Sequence, residues 1–351
     1  MDNKFSHRLQ DIDSRILEKI SEVDKIKSHW SAGVQLDPQI LAGLKKSVLI
    51  TSTGASTRIE GAKLSDEDIE RMMHGISIQK FSNRDGQEVK GYHELLSNVF
   101  ENWQSIPFSE STIKFFHREL LKYTEKDELH RGEYKKKENK VAMISPVGGD
   151  MRILFDTTSP HLVAKEMQEL VEWTQEALTD KKLHPLLVIG NFVVEFLKIH
   201  PFEDGNGRLS RVLTNLLLLQ NGYSYMPYVS HEKLIEDNKP EYYVALRQSQ
   251  KTFGTENENL APWLNFFLMI LLDQSKRAAA LISKEEIDKL LSRQQQIVWK
   301  YLESVHEATP LEISKAVGVP RPTVSQAITK LLKLKRIERV GVGRATRYRK
   351  I

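Results

Sequence analysis

The stretch LLVIGNFVVEFLKI (residues 186–199) runs directly into HPFEDGNGRLSR (residues 200–211), and together they decide how this chain is read. The first part is mostly apolar, with no clean polar face, so it reads as a central helix buried on all sides. The second part is a short polar loop with two glycines. Another apolar run, Leu209 to Leu219, begins before that loop has finished. Two buried helices joined by a tight loop predict a mainly helical core.

Amphipathic helices flank this centre. Phe5 to Ile26 carries apolar residues at helical spacing among charges, and Leu41 to Ile50 is a second such run. Ser65 followed by Asp68 has the pattern of a capped helix start. Val89 to Trp103, Glu110 to Tyr123 and Pro160 to Leu178 complete the set. One segment breaks the pattern. Between Asn139 and Phe155, two β-prone runs enclose Ser-Pro-Val-Gly-Gly-Asp, with Gly148 and Gly149 supplying positive φ, which predicts a β-hairpin.

The chain has 351 residues, enough for two or three domains. We read 1–110 as an N-terminal helical region, 111–276 as the core, 277–290 as a helical linker and 291–351 as a separate compact unit. In that last unit, helices at Arg293–Ser304, Pro310–Val317 and Arg321–Leu334 precede a β-wing from Arg336 to Tyr348. From Arg321 onward there are ten Lys and Arg against one acid, Glu338. That tail is therefore +9 within a net +4 chain, and the first 320 residues are net −5.

Cysteine is absent, which removes disulfides, thiolate metal sites and cysteine nucleophiles. The N-terminus lacks the apolar segment of a secretion signal. The longest apolar stretch, Leu260 to Leu272, is too short to span a bilayer and contains Pro262 and Asn265. These features point to a cytoplasmic protein with no membrane partner. No Walker loop and no Gly-x-Ser-x-Gly turn is present. His93, His117, His161, His184 and His231 lack metal-ligand spacing and read as core or surface residues.

The loop itself carries chemistry. Gly205, Asn206 and Gly207 let backbone N–H groups approach an anion, and the helix start that follows adds its unpaired N–H groups and dipole. Arg208 and Arg211, at i and i+3, add two guanidinium forks suited to a polyphosphate. Asp204 is a hard oxygen ligand of the kind that shares Mg²⁺ with phosphates. His200 can accept a proton. A base, a metal ligand, an anion nest and two cations fit nucleotidyl transfer, in which a hydroxyl attacks an α-phosphorus.

This stretch resembles the Fic-family motif His-x-Phe-x-Asp/Glu-Gly-Asn-Gly-Arg-x-x-Arg at every specified position, and the resemblance extends over about residues 40 to 275. It implies a transfer of AMP from ATP to Ser, Thr or Tyr hydroxyls of a protein target, with Mg²⁺ as cofactor. Some relatives transfer phosphate or UMP instead. By position, His200 would be the general base, Phe202 the loop's anchor in the core and Asp204 the Mg²⁺ ligand. Gly205, Asn206 and Gly207 would cradle the α-phosphate, and Arg208 and Arg211 would take the outer phosphates. Val141, Ala142, Met143 and Ile144 fall where the family has a flap that pairs with the target peptide. Gly132-Glu-Tyr134 is also family-like, with Lys135 where many members have arginine. Tyr242 and Gln250 fall at the adenine pocket, although simple packing is an equal account of Tyr242. Family members often dimerise, so a homodimer is a further expectation.

Two features remain. Ser56-Thr-Arg-Ile-Glu60-Gly61 matches the inhibitory helix pattern of Fic proteins, here N-terminal to the core. Ser56 and Glu60 at i and i+4 share one helix face, and by resemblance Glu60 would engage Arg211 and misplace ATP. The alternative is that Glu60 simply ends a helix before Gly61. The C-terminal unit resembles a winged helix. It would bind DNA through Arg321, Thr323, Ser325 and Gln326 with wing residues Arg344, Arg347 and Arg349, or else serve protein contacts. The competing account of the whole chain is a DNA-binding regulator whose core senses nucleotide.

Overall fold

The computed structural model describes residues 4–31, 38–73, 84–144, 151–334, 336–340 and 346–351. It divides into two compact units, Met1–Ala279 and Ala280–Ile351. Among the described residues, no helix is long and apolar enough to cross a membrane.

The first unit is built on α8 (Pro185–Ile199) and α9 (Asn206–Gln220). Every residue of α8 except Pro185 and Lys198 is buried, as the run of apolar side chains requires. Around this pair lie α1 (Lys4–His7), α2 (Ser14–Ser31), α3 (Pro38–Ile59), α4 (Asp66–Met73), α5 (Arg84–Asn102), α6 (Glu110–Leu120) and α7 (Pro160–Asp180). The shell is completed by α10 (His231–Asp237), α11 (Lys239–Gln250) and the part of α12 (Ala261–Leu290) up to Ala279. Strands β1 (Lys140–Ile144) and β2 (Met151–Asp156) form the expected antiparallel hairpin, with a register shift between Val141 and Ala142. Its expected turn, with Gly148 and Gly149, and the side chains of Val141, Ala142, Met143 and Ile144 lie outside the described residues.

Three expectations are modified. The single helix Phe5 to Ile26 is two, α1 and α2, because the Asp13 carboxylate accepts the Arg15 N–H at 2.8 Å and starts a new helix. The run Leu41 to Ile50 continues to Ile59 through a polar stretch whose hydroxyls find internal partners. Thr53 and Thr57 donate to carbonyls four residues back, and Ser52 bonds Ser230 at 2.8 Å. The N-terminal region is not a unit of its own. Phe5, Leu9, Ile16 and Ile20 belong to the same hydrophobic core as α8 and α9. Arg8 is buried between Glu195 of α8 and Glu258, and stacks over Phe253 at 3.7 Å.

The second unit has its own core, including Val298, Trp299, Leu302, Ile313, Val324, Ile328 and Leu331. It orders as α13 (Arg293–Ser304), α14 (Pro310–Val317), α15 (Arg321–Lys333), then antiparallel β3 (Ile337–Val340) and β4 (Arg347–Lys350). Ser292/Gln295 and Thr309/Glu312 form capping boxes at α13 and α14, the latter with Pro310 in the first turn. The residues read as a linker fall within the span of α12.

Candidate active site

His200 ends α8 in the left-handed region, φ 52° and ψ 61°, so the chain leaves the helix abruptly. The Leu197 carbonyl, 3.3 Å from Nδ1, can only accept, so Nδ1 carries the hydrogen and Nε2 keeps its lone pair. Burial first, and the Lys135 ammonium with it, push the His200 pKa down to about 4. The imidazole is therefore a neutral base across the physiological range.

The loop is closed on itself. Phe202 is fully buried. Its N–H donates to Asn206 Oδ1 at 3.0 Å, and Asn206 Nδ2 donates back to the Phe202 carbonyl at 2.8 Å. Asn206 therefore serves the loop with its side chain, and only its backbone N–H remains for a phosphate. Gly205 caps α9 with φ 76° and ψ 0°, a conformation that favours glycine. The first N–H groups of α9 have no intrahelical acceptor.

Arg211 lies one turn into α9 and is buried. Its Nε donates to Ser56 Oγ at 2.8 Å. Its Nη2 donates to the Ser56 carbonyl at 2.9 Å and to Glu60 Oε1 at 2.8 Å. Burial works against the guanidinium charge, and the Glu60 carboxylate more than restores it. Glu60 Oε1 lies so close over Gly207 that a Cβ there would meet it at 2.2 Å. An internal carboxylate thus sits on the anion nest.

Arg208 does not match Arg211. Its guanidinium is buried, 2.7 Å from Glu88 of α5 and 3.2 Å from Asp204. Asp204 also accepts the Gly205 N–H at 2.6 Å and pairs with Arg84, the first residue of α5. Burial alone would raise its pKa, but Arg208, the Gly205 N–H and Arg84 outweigh it and hold the carboxyl below its usual value. Among the described residues no group of three or more His, Cys, Asp or Glu could hold a metal ion. A cation at Asp204 would take its other ligands from phosphates and water, as Mg²⁺ does. An ionised, partly exposed oxygen donor fits that role.

Tyr242 of α11 is 3% exposed and packs edge-on against Trp263, with its hydroxyl against Arg211 and Ser210. Gln250 is buried and donates to the Val194 carbonyl at 3.0 Å, a bond that ties α11 to α8. Lys135 is 2% exposed. Its ammonium reaches Asn139 Oδ1 (2.7 Å), Thr157 Oγ1 (2.8 Å) and the Ile199 carbonyl (3.2 Å), joining both feet of the hairpin to the residue before His200. Burial lowers its pKa to about 8.

Sequence reasoning missed three residues. Arg84 and Glu88 carry the charges opposite Asp204 and Arg208 from a distant helix. His117, read as a core or surface residue, touches the loop directly. Its ring stacks on Phe202, and Nε2 is 3.0 Å from the Asp204 carbonyl. Burial pushes its pKa down to about 4. No spacing could have signalled these three, because the partners are far apart in sequence.

A base at a left-handed helix end, a glycine nest at the next helix start and an arginine one turn on define a Fic-type site. The Fic/DOC family matches residues 107–218. A Fido domain-containing protein of Dictyostelium discoideum is 33% identical over 105 residues, 29% of this chain and 69% of that protein. The chain belongs to the Fic/DOC family. The protein adenylyltransferase Fic of Drosophila willistoni is 30% identical over 147 residues, 40% of this chain and 26% of that protein. This chain thus spans about a quarter of the length of that relative. A Fic family protein from Desulfovibrio desulfuricans G20 shares the fold, with TM-score 0.63 and 23% identity over 97% of each chain. Fic-1 of Caenorhabditis elegans does so with TM-score 0.62 and 19% identity, over 78% of this chain and 74% of that one.

Proposed function

We propose that this chain transfers AMP from ATP to Ser, Thr or Tyr hydroxyls of a protein, its own included, and that Glu60 restrains the reaction. The observation that carries the reading is the place of His200, at the left-handed end of α8 five residues before the Gly205 cap of α9, with Nδ1 turned to the Leu197 carbonyl so that Nε2 is left to accept a proton. Nε2 takes the proton of the attacking hydroxyl. The hydroxyl oxygen bonds the α-phosphorus, the bond from that phosphorus to the β-bridging oxygen breaks, and pyrophosphate leaves. The backbone N–H groups of Gly205, Asn206 and Gly207 hold the α-phosphate. Arg211 holds an outer phosphate. Asp204 would hold Mg²⁺, which when bound neutralises the phosphate charge. The hairpin offers strand-pairing to an extended target segment. Relatives named protein adenylyltransferase support the same reading.

Glu60 occupies Arg211 and overlies Gly207. ATP then either loses a phosphate contact or sits displaced from in-line attack. The test of the reaction is labelling of protein with ATP carrying a tracer at the α-phosphate. His200→Asn keeps a residue tolerant of the left-handed backbone and should lose labelling while ATP binding persists. Full labelling by that variant would overturn the mechanism.

As a second reading, we propose that the C-terminal unit binds duplex DNA. Arg321, Ser325, Gln326 and Thr329 leave an exposed polar face along α15, with Arg321 and Lys333 in no ion pair among the described residues. That face suits duplex DNA. The wing is less suited than its charge suggests. Arg347 pairs with Glu307 and Glu312, Arg349 with Glu338, and Lys350 with Glu303. Arg344 lies outside the described residues.

A further inference from the structure

One peptide of the motif loop, between Asp204 and Gly205, has a conformational choice that the others lack the glycine φ for. Gly205 sits at φ 76°, and glycine accepts φ of either sign, so this peptide plane can turn over at little steric cost. Its orientation matters. In a trans peptide the C=O and the next N–H point in opposite directions. With the carbonyl of Asp204 turned toward His117, the Gly205 N–H points the other way and donates to Asp204 Oδ1 at 2.6 Å. A flipped plane would present a carbonyl oxygen to the phosphates.

What holds the carbonyl in that direction is His117 of α6. The ring is fully buried and lies flat on Phe202, centroids 3.8 Å apart and planes 8° apart. Nδ1 receives the Gly132 N–H at 2.8 Å, and Nε2 lies 3.0 Å from the Asp204 carbonyl oxygen. The partners decide the proton. A backbone N–H can only donate, so Nδ1 must offer a lone pair. A carbonyl can only accept, so Nε2 must carry hydrogen. Of the two neutral tautomers and the imidazolium, the Nε2–H tautomer alone makes both bonds.

We propose that His117 is the positioning residue of this site: as the Nε2–H tautomer it locks the Asp204–Gly205 peptide with its N–H facing the phosphates. It touches no substrate. It acts through the loop, fixing the first donor of the anion nest and the backbone of Asp204 together. The consequence for catalysis rests on the AMP-transfer reading, but the lock itself concerns nucleotide binding and the ligand-free loop.

The test has three arms. In the ligand-free wild type, the ¹⁵N spectrum of His117 should show a protonated Nε2 and a bare Nδ1 at neutral pH. His117→Phe keeps the stacked ring and removes both hydrogen bonds. It should shift the Gly205 amide resonance and weaken ATP·Mg²⁺ binding about tenfold, the scale of one lost hydrogen bond. His117→Gln restores a donor near the Nε2 position and should recover most of that affinity, which a purely structural role would not require. An Nδ1–H tautomer or an imidazolium in the wild type would overturn the proposal. So would a Phe variant with wild-type affinity and an unmoved Gly205 amide. If the wild type binds ATP yet labels no protein, the reaction reading fails while all three arms still decide the lock. If the Phe variant does not fold, the wild-type tautomer and the Gln variant decide it.

Discussion

Replacing Glu60 with glycine should switch the site on. In the structure its carboxylate makes one charge-assisted bond, 2.8 Å to Arg211 Nη2, with the side chain 33% exposed. A hydrogen bond to a charged group contributes about 1.5–3 kcal/mol, and the partial exposure places this one near ~1.5–2 kcal/mol. At ~1.4 kcal/mol per decade, productive ATP binding should rise about 10–30-fold. The backbone around the site of change is held independently. Arg58 pairs with Glu236 at 2.6 Å and with Asp66 at 2.9 Å, so the end of α3 should stay in place when Glu60 is lost. The assay is initial-rate labelling of the protein itself with ATP bearing a tracer at the α-phosphate, alongside ATP affinity by calorimetry and thermal unfolding. Glu60→Gln, which keeps the size and removes the charge, should fall between wild type and Glu60→Gly. Arg211→Ala should stay inactive with or without Glu60. Equal labelling and equal ATP affinity in wild type and Glu60→Gly, at matched thermal stability, would reduce Glu60 to a helix-end residue and refute the argument.

Arg84→Ala removes a tethered cation from Asp204. Mn²⁺ affinity in the presence of ATP, followed by electron spin resonance, should rise severalfold, and an unchanged affinity would show that Arg84 does not compete with the metal. Burial holds both His117 and His200 near pKa 4, below the ordinary 6.5. The unfolded chain therefore binds more protons than the folded one between those values, and stability should fall as pH drops from about 6.5 through about 4. His117→Phe, measured by urea unfolding against pH, should flatten that fall. The C-terminal unit, residues 280–351, has its own core and should fold alone. If it binds duplex DNA, Arg321→Ala should reduce the salt slope of binding by about one, whereas Arg349→Ala should change it little because Glu338 already neutralises that side chain.

What could be read from the sequence was what is local. The apolar density of residues 186–199 announced a buried helix, and α8 is buried almost throughout. The loop from His200 to Arg211 announced the family by residue type and spacing, and Ser56 with Glu60 announced a shared face that the structure turns toward Arg211. What was not legible depends on distant partners. Arg8 at the N-terminus meets Glu195, and Arg84 meets Asp204, across 187 and 120 residues. A long-range ion pair leaves no periodic trace. The length of α3 was hidden by polarity: the apolar run stops at Ile50, yet the hydroxyls of Ser52, Thr53 and Thr57 are satisfied inside, so the helix continues to Ile59. His117 was set aside for lack of metal-ligand spacing, which is the wrong criterion for a residue whose partners are backbone groups.

The two motif arginines look equivalent in sequence, three residues apart on one helix, and the structure separates them. A buried guanidinium needs a counter-ion whether or not a nucleotide is bound, because an uncompensated buried charge costs several kcal/mol. Before ATP arrives the chain must supply both. For Arg208 it does so with Glu88, which sits one turn into α5, is 12% exposed in its side chain and is itself held by Arg84 at 2.7 Å, and with Asp204 on the other side. Nothing about that arrangement favours exchange. For Arg211 it does so with Glu60, which lies beyond the last residue of α3 and is about three times as exposed. Ser56 meanwhile keeps two of the Arg211 bonds in place whichever anion completes the set. Arg211 is thus built to change partners and Arg208 to keep them. Arg208 holds Asp204 in register from its buried place, whereas Arg211 is completed by a partly exposed carboxylate, the kind of partner an incoming anion can replace.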